Sequence, residues 1–217
     1  MDIDQARFNM VEQQVRPWEV PDPAVLDAMM TIPRELFVPE EFKLLAFSDT
    51  RIPLGHGQAM LAPIWEGRLL QALVPKKSAR ALLIGTGSGY VSSLLGHLCR
   101  EVVSVELQAE FVTAASRKLR LAGISNVTLE VGDGLEGWAA RGPYDLIAVT
   151  GSLPSRRDSI EQQLTMGGRL FVVIGTGTVM EACVITRRDT SHFELESLFE
   201  LELEPLQGAA IKPTFQF

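Results

Sequence analysis

An α/β fold is predicted, with a mostly parallel sheet, antiparallel strands at its C-terminal end and helices at its N-terminal end. Three observations carry that prediction. The apolar run Ala81-Leu82-Leu83-Ile84 enters the turn Gly85-Thr86-Gly87-Ser88-Gly89, and helical spacing follows, with Tyr90, Leu94, Leu95 and Leu98 on one face. Beyond it, apolar strands alternate with helical segments as far as Ile174, the pattern of a parallel sheet. From Phe193 the period falls to two, the pattern of a half-exposed antiparallel strand.

Taken in order, the chain begins with helical segments over residues 1–45, joined by prolines. Ala6, Met10, Val11 and Val15 form a stripe, and Asp22-Pro23 caps a second helix that runs through Met30. Residues 47–63 read as a loop in which Gly55 and Gly57 flank His56 and Gln58 follows. Such a loop suits either a backbone held close to a ligand or an ordered connector. Helical spacing returns over 64–73 and leads into the strand before the glycine turn. The next strand spans 102–105 and ends at Glu106; a helix from Gln108 to about Ala122 stops at Gly123, a C-terminal cap residue. Further strands are expected over 127–131 and 144–150, a helix over 155–164, and a strand over 169–174 after Gly167-Gly168.

The last stretch changes character. Residues 180–187 read as a strand and 188–191 as a turn. Phe193, Leu195, Phe199, Leu201 and Leu203 are then expected to face one way, and Glu194, Glu196, Glu200, Glu202 and Glu204 the other. The glutamates read as a solvated face that discourages edge-to-edge association. The chain divides into N-terminal helices and loop (1–75), a core (76–175) and C-terminal antiparallel strands (176–217), all within one expected domain of 217 residues.

Composition limits the function. Hydrophobic residues make up 46% of the chain, and a net charge of -7 with pI near 5.1 argues against nucleic-acid or anionic-membrane partners. No secretory signal or membrane-length apolar run is read, so a cytoplasmic location is expected. Cys99 and Cys183 stand alone, and His56, His97 and His192 are scattered, so no metal site is expected. Neither a Gly-x-Ser-x-Gly elbow nor an H-E-x-x-H motif occurs.

The spacing of the glycines selects a cofactor. A dinucleotide fingerprint needs a third glycine where this chain has Tyr90, and a phosphate-binding loop needs a Gly-Lys-Ser/Thr ending that is absent. Glu106 lies twenty-one residues after Gly85, where a carboxylate can accept both hydroxyls of a ribose. The pattern suits S-adenosylmethionine (SAM), whose adenosine carries ribose hydroxyls but no phosphates. Asp133, between Gly132 and Gly134 at a strand end, can accept from an adenine amino group or serve as an ordinary turn aspartate.

Several blocks together resemble the protein-L-isoaspartate O-methyltransferase family. They are residues 7–14 (Arg-Phe-Asn-Met-Val-Glu-Gln-Gln), residues 32–40 (Ile-Pro-Arg-Glu-Leu-Phe-Val-Pro-Glu), and Asp49 with residues 52–58 (Ile-Pro-Leu-Gly-His-Gly-Gln). The cofactor turn 84–90, Ser104-Val105-Glu106, Gly132-Asp133-Gly134, Gly137-Trp138, Pro143-Tyr144-Asp145 and residues 167–170 complete the set. The resemblance implies a Rossmann-like, SAM-dependent methyltransferase that esterifies the free carboxylate of isoaspartyl residues in aged proteins, releasing S-adenosylhomocysteine. It places Gly85, Thr86, Gly87, Gly89, Glu106, Leu107, Asp133 and Gly134 around SAM, and Gln58 over the methyl group. The substrate is then a peptide or protein bearing isoaspartate.

Departures from the family pattern lie at functional positions. Where family members typically read Gly-Gln-Thr-Ile-Ser-x-Pro, this chain has Gly57-Gln58-Ala59-Met60-Leu61-Ala62-Pro63, so both hydroxyls are gone, Ala59 standing for the threonine and Leu61 for the family's active-site serine. Leu83 stands where the family commonly has an acid near the methionine part of SAM. Three readings follow: an isoaspartyl methyltransferase slowed by Leu61, a family member with another acceptor, or a SAM-binding protein without catalysis.

Overall fold

Ala81 to Ile84 carry the branched and apolar side chains of a strand buried on both faces, and they form the middle of the sheet. The computed structural model describes residues 2–209. Its helices are α1 (Ile3–Asn9), α2 (Pro23–Thr31), the short α3 (Arg34–Phe37), α4 (Pro63–Leu73), α5 (Tyr90–Leu98), α6 (Ala109–Leu121) and the short α7 (Asp158–Glu161). Its strands are β1 (Ile52–Gly55), β2 (Gln58–Met60), β3 (Arg80–Ile84), β4 (Glu101–Glu106), β5 (Val127–Val131), β6 (Tyr144–Leu153), β7 (Leu164–Thr176), β8 (Val179–Arg187) and β9 (Phe193–Glu200).

The main sheet has the order β5-β4-β3-β6-β7-β8-β9. Strands β3 to β7 pair in parallel, and β8 and β9 add antiparallel. Two apolar layers cover its faces. One joins Met10, Val11 and Val15 of the N-terminal region, α2, α4 and α5 to Leu83, Ala148 and Phe171. The other gathers Ile84, Val105, Ile147, Val149 and Ile160 on the opposite face. Of the stripe expected over residues 1–15, Met10, Val11 and Val15 are buried and Ala6 is partly buried against them, though Met10–Val15 winds as a π-helical turn. Asp22 caps α2 by accepting from the Ala24 N–H at 2.8 Å, with Pro23 in the first turn.

Four expectations are corrected. Residues 47–63 are not loop throughout: β1 and β2 pair there as a small antiparallel hairpin through Ile52↔Met60 and Pro53↔Ala59. The strands are too short, and too interrupted by Pro53, for periodicity to reveal them. The helix expected over 155–164 contracts to α7. The Gln163 carbonyl accepts from the Tyr144 N–H at 2.8 Å, and its amide side chain is spent on Trp138 and Glu136, which draws the chain into the sheet. Accordingly β7 starts at Leu164, and the pairing shifts between Leu164 and Arg169 to take up Gly167-Gly168.

The alternation over 193–203 is not continuous. Ala182 pairs with Phe199 but Cys183 with Ser197, so Leu198 is an extra residue, a bulge in the edge strand. Leu195 is exposed, and β9 ends at Glu200. Glu194, Glu196, Glu200 and Glu202 are solvated as expected, whereas Glu204 pairs with Arg51 beside the hairpin. Residues 210–217 of the expected C-terminal stretch lie outside the described residues. Among the described residues no helix is long and apolar enough to cross a membrane.

Both cysteines are buried and unpaired. Burial pushes the Cys99 thiol up to about 12, against a smaller opposing effect of Lys77. At pH 8 the thiolate is then about one part in ten thousand. Iodoacetamide at that pH is expected to leave Cys99 unmodified in the folded chain and to alkylate it in urea. Rapid native-state labelling of Cys99, read by mass spectrometry, would contradict this burial.

Candidate functional site

The strand order places a reversal of winding between β3 and β6, and a cavity opens there at the C-terminal ends of the strands. The glycine turn forms its floor. Gly85 has φ +91°, and a Cβ added there would collide with the Thr150 hydroxyl, which donates to the Ile84 and Gly85 carbonyls at 3.1 and 2.8 Å. The turn is therefore bare of side chains where it meets the cavity.

Glu106, at the end of β4, is 9% exposed, and backbone amides hold its carboxylate. Oε2 accepts from the Gly87 N–H at 2.9 Å and Oε1 from the Gln108 N–H at 3.0 Å. Each oxygen keeps a further lone pair for a ligand. Leu107, Asp133 and Gly134 also line the cavity. Asp133 Oδ1 accepts from the Leu135 N–H at 2.9 Å, forming a local turn, while Oδ2 makes no hydrogen bond among the described residues. Gly134 lies against Ile84, where a Cβ would come within 2.7 Å of its methyl group.

Two residues expected around the cofactor do not line this cavity. Gly89, φ +88°, is required by packing instead, since a Cβ would sit 2.9 Å from that of Ala115. The Thr86 hydroxyl is turned inward, 2.7 Å from the Ser104 hydroxyl.

The β1–β2 hairpin closes over the glycine turn. Leu54, Gln58 and Ala59 line the same cavity as Gly85, Gly87 and Glu106. A second, adjoining cavity shares Leu54, Ala59, Gly85, Gly87 and Thr150 with the first. Met60, Leu61, Glu66, Thr86, Ser88 and Val91 complete its wall. Leu61 is 6% exposed and Leu83 is fully buried in the apolar layer beneath. Neither lysine nor arginine lines either cavity among the described residues.

Several lining residues were not anticipated: Leu54, Gln108, Phe111, Leu135, Thr150, Leu206 and Gln207. Gln108, directly after Glu106, and Thr150, at the end of an expected strand, could have been found from the rule that ligands meet strand C-termini. Leu206 and Gln207 had no local signal. They reach the cavity because the chain after β9 returns to β6, where the Ser152 N–H donates to the Glu204 carbonyl and the Leu206 N–H to the Ser152 carbonyl, and Gln108 Nε2 donates to Gln207 Oε1 at 3.0 Å. Among the described residues no group of three His, Cys, Asp or Glu side chains could hold a metal ion.

Residues 6–209 match the family model described as "Protein-L-isoaspartate(D-aspartate) O-methyltransferase (PCMT)". Protein-L-isoaspartate O-methyltransferase 2 of Marinobacter nauticus is 36% identical over 208 residues, covering 95% of this chain and 95% of its own length. Protein-L-isoaspartate O-methyltransferase of a Picosynechococcus species is 36% identical over 202 residues, covering 93% of this chain and 90% of its own. A solved protein-L-isoaspartate O-methyltransferase superposes with TM-score 0.82 at 24% identity, over 94% of this chain and 66% of the other. A Plasmodium falciparum structure described as a putative protein-L-isoaspartate O-methyltransferase in complex with S-adenosyl-L-homocysteine gives TM-score 0.80 at 19% identity, over 95% and 98%. At these identities the two structures establish the fold.

Proposed function

The chain belongs to the protein-L-isoaspartate(D-aspartate) O-methyltransferase family, and on that premise we propose that it moves a methyl group from SAM to the free carboxylate of isoaspartyl residues, at a rate lowered by Leu61. The observation that carries the reading is the hairpin: Gln58 and Ala59 share one cavity wall with Gly85, Gly87 and Glu106. An acceptor held by the hairpin would lie against a cofactor held by the turn.

The donor set fits SAM. Glu106 and Asp133 offer carboxylate oxygens to ribose hydroxyls and an adenine amino group, and Gly85, Gly87 and Gly134 let backbone approach. That no lysine or arginine lines the cavity among the described residues suits an adenosine without phosphates. Leu107 and Phe111 add apolar surface for a base. SAM and S-adenosylhomocysteine are expected to raise the melting temperature, and NAD is not. A ligand at a hundred times its Kd stabilises by about 2.7 kcal/mol. Stabilisation by NAD alone would reject the assignment.

SAM supplies a methyl group activated by its positive sulfonium. An isoaspartyl carboxylate is already ionised at neutral pH, so the protein's part is alignment and exclusion of water rather than proton removal. Gln58 and the hairpin backbone would orient the carboxylate. The direct test is transfer of labelled methyl from SAM to an isoaspartyl peptide, with the aspartyl isomer as control. Equal labelling of both peptides would refute selectivity for isoaspartate.

A second reading, an acceptor without negative charge, is favoured by the adjoining cavity. Leu54, Ala59, Met60, Leu61 and Val91 give it an apolar wall, and its ionisable lining residue is the carboxylate of Glu66. An acidic peptide partner and the chain's net charge of -7 do not attract each other.

A further inference from the structure

Arg34 is among the largest fully buried side chains of the described residues, and its contacts reach the chain before the hairpin and the residue after it. The guanidinium Nε donates to Glu66 Oε2 at 3.0 Å, and Glu66 is buried as completely. Nη2 donates to the Leu61 carbonyl at 2.7 Å, and Nη1 donates to the Ala46 carbonyl. Ala46 closes the 3-10 turn Glu40–Leu45, six residues before β1 begins, and Leu61 immediately follows β2.

The same guanidinium lies over the Tyr90 ring, 5.5 Å from its centroid, and Tyr90 opens the helix that follows the glycine turn. Burial drives the Glu66 carboxyl upward, opposed by Arg34, and burial also raises the Tyr90 phenol. The two buried charges, Arg34 and Glu66, are compensated by each other.

We propose that Arg34, held by Glu66, is a positioning residue for methyl transfer: it ties the chain leading into the acceptor hairpin, and the residue that follows β2, to the helix of the cofactor turn. A flat guanidinium can serve two carbonyls and a carboxylate at once, in directions a lysine ammonium cannot reproduce. Leu61 places no hydroxyl in the acceptor cavity, but its carbonyl still sets where the hairpin stands. This inference rests on the reading that the hairpin carries the acceptor.

The test pairs two variants of the full chain. Arg34→Met with Glu66→Leu removes both charges and fills their space, an exchange that buried ion pairs commonly tolerate. Arg34→Lys keeps the charge beside Glu66 but abandons the shared carbonyls, and serves should the double variant not fold. In either, hydrogen exchange of the amides of Ile52–Met60 is expected to accelerate at least about tenfold while β3, β4 and β6 keep their protection. Transfer to an isoaspartyl peptide should fall by about a hundredfold in kcat through misplacement alone. S-adenosylhomocysteine affinity should change far less than that rate.

Unchanged exchange in the hairpin, or a rate loss matched by an equal loss of S-adenosylhomocysteine affinity, would overturn the proposal and leave Arg34 a core residue. If the unaltered chain moves no methyl to the peptide, the acceptor reading fails, and the exchange rates then decide the role of Arg34.

Discussion

Replacing Glu106 by alanine is expected to weaken binding of S-adenosylhomocysteine by about a hundredfold, each lost hydrogen bond to a charged group being worth roughly 1.5–3 kcal/mol. Two losses combine. The carboxylate oxygens would no longer meet the ribose hydroxyls, and the amides of Gly87 and Gln108 would lose the acceptor that fixes the glycine turn. The second loss also reaches stability. A partly buried amide left without a partner costs about 1–3 kcal/mol, which for a chain of this size lowers the melting temperature by roughly 2–12 °C. Glu106→Gln separates the effects, since its amide keeps one acceptor oxygen but turns an NH2 toward a backbone donor. Isothermal titration should order the affinities wild type, glutamine, alanine. An unchanged dissociation constant for Glu106→Ala would show that the carboxylate serves the turn and not the ligand.

The parts of the site legible in the sequence are those whose geometry is local. Gly85 to Tyr90 reads as strand, turn and helix because a handful of adjacent residues decides each φ and each buried face. Glu106 follows from the end of the next apolar run, and the sheet takes the form that alternating strands and helices require. What escaped depends on partners far along the chain. Glu66 on α4 meets Arg34 across thirty-two residues, and neither identity betrays the other. Gln207 meets Gln108 across ninety-nine. The bulge at Leu198 is hidden because Leu195 before it and Phe199 after it are an even number of residues apart and keep the appearance of alternation. Thr86 and Gly89 were grouped with the ligand-facing residues because the motif is contiguous. In the fold one hydroxyl turns to Ser104, and the missing side chain of Gly89 makes room for α6.

Restoring hydroxyls to the hairpin is expected to raise isoaspartyl methylation by about ten- to a hundredfold, since one hydrogen bond to a charged group is worth roughly 1.5–3 kcal/mol and each 1.4 kcal/mol is a factor of ten. Leu61 borders the acceptor cavity at 6% exposure, beside Ala59, Met60 and Val91. A carboxylate brought there must shed water against apolar walls and finds no arginine or lysine among the described lining residues. Leu61→Ser relieves both costs by removing a branched apolar group and supplying a donor. Ala59→Thr adds a second hydroxyl on the strand that walls both cavities. Leu61 lines only the adjoining cavity and touches neither Glu106 nor the amides that hold it, so S-adenosylhomocysteine affinity of Leu61→Ser should stay as in the wild type. The Leu61 carbonyl keeps its bond to Arg34, because only the side chain is exchanged. Loss of a buried leucine lowers stability by about 2–5 kcal/mol, so rates must be read well below the melting temperature. Labelled methyl transfer to the isoaspartyl peptide, with the double variant beside wild type, decides the matter. A wild type that already turns over the peptide as fast as a family member carrying the serine would remove Leu61 as a cause of slowness. No transfer by either protein would move the assignment to an acceptor without negative charge.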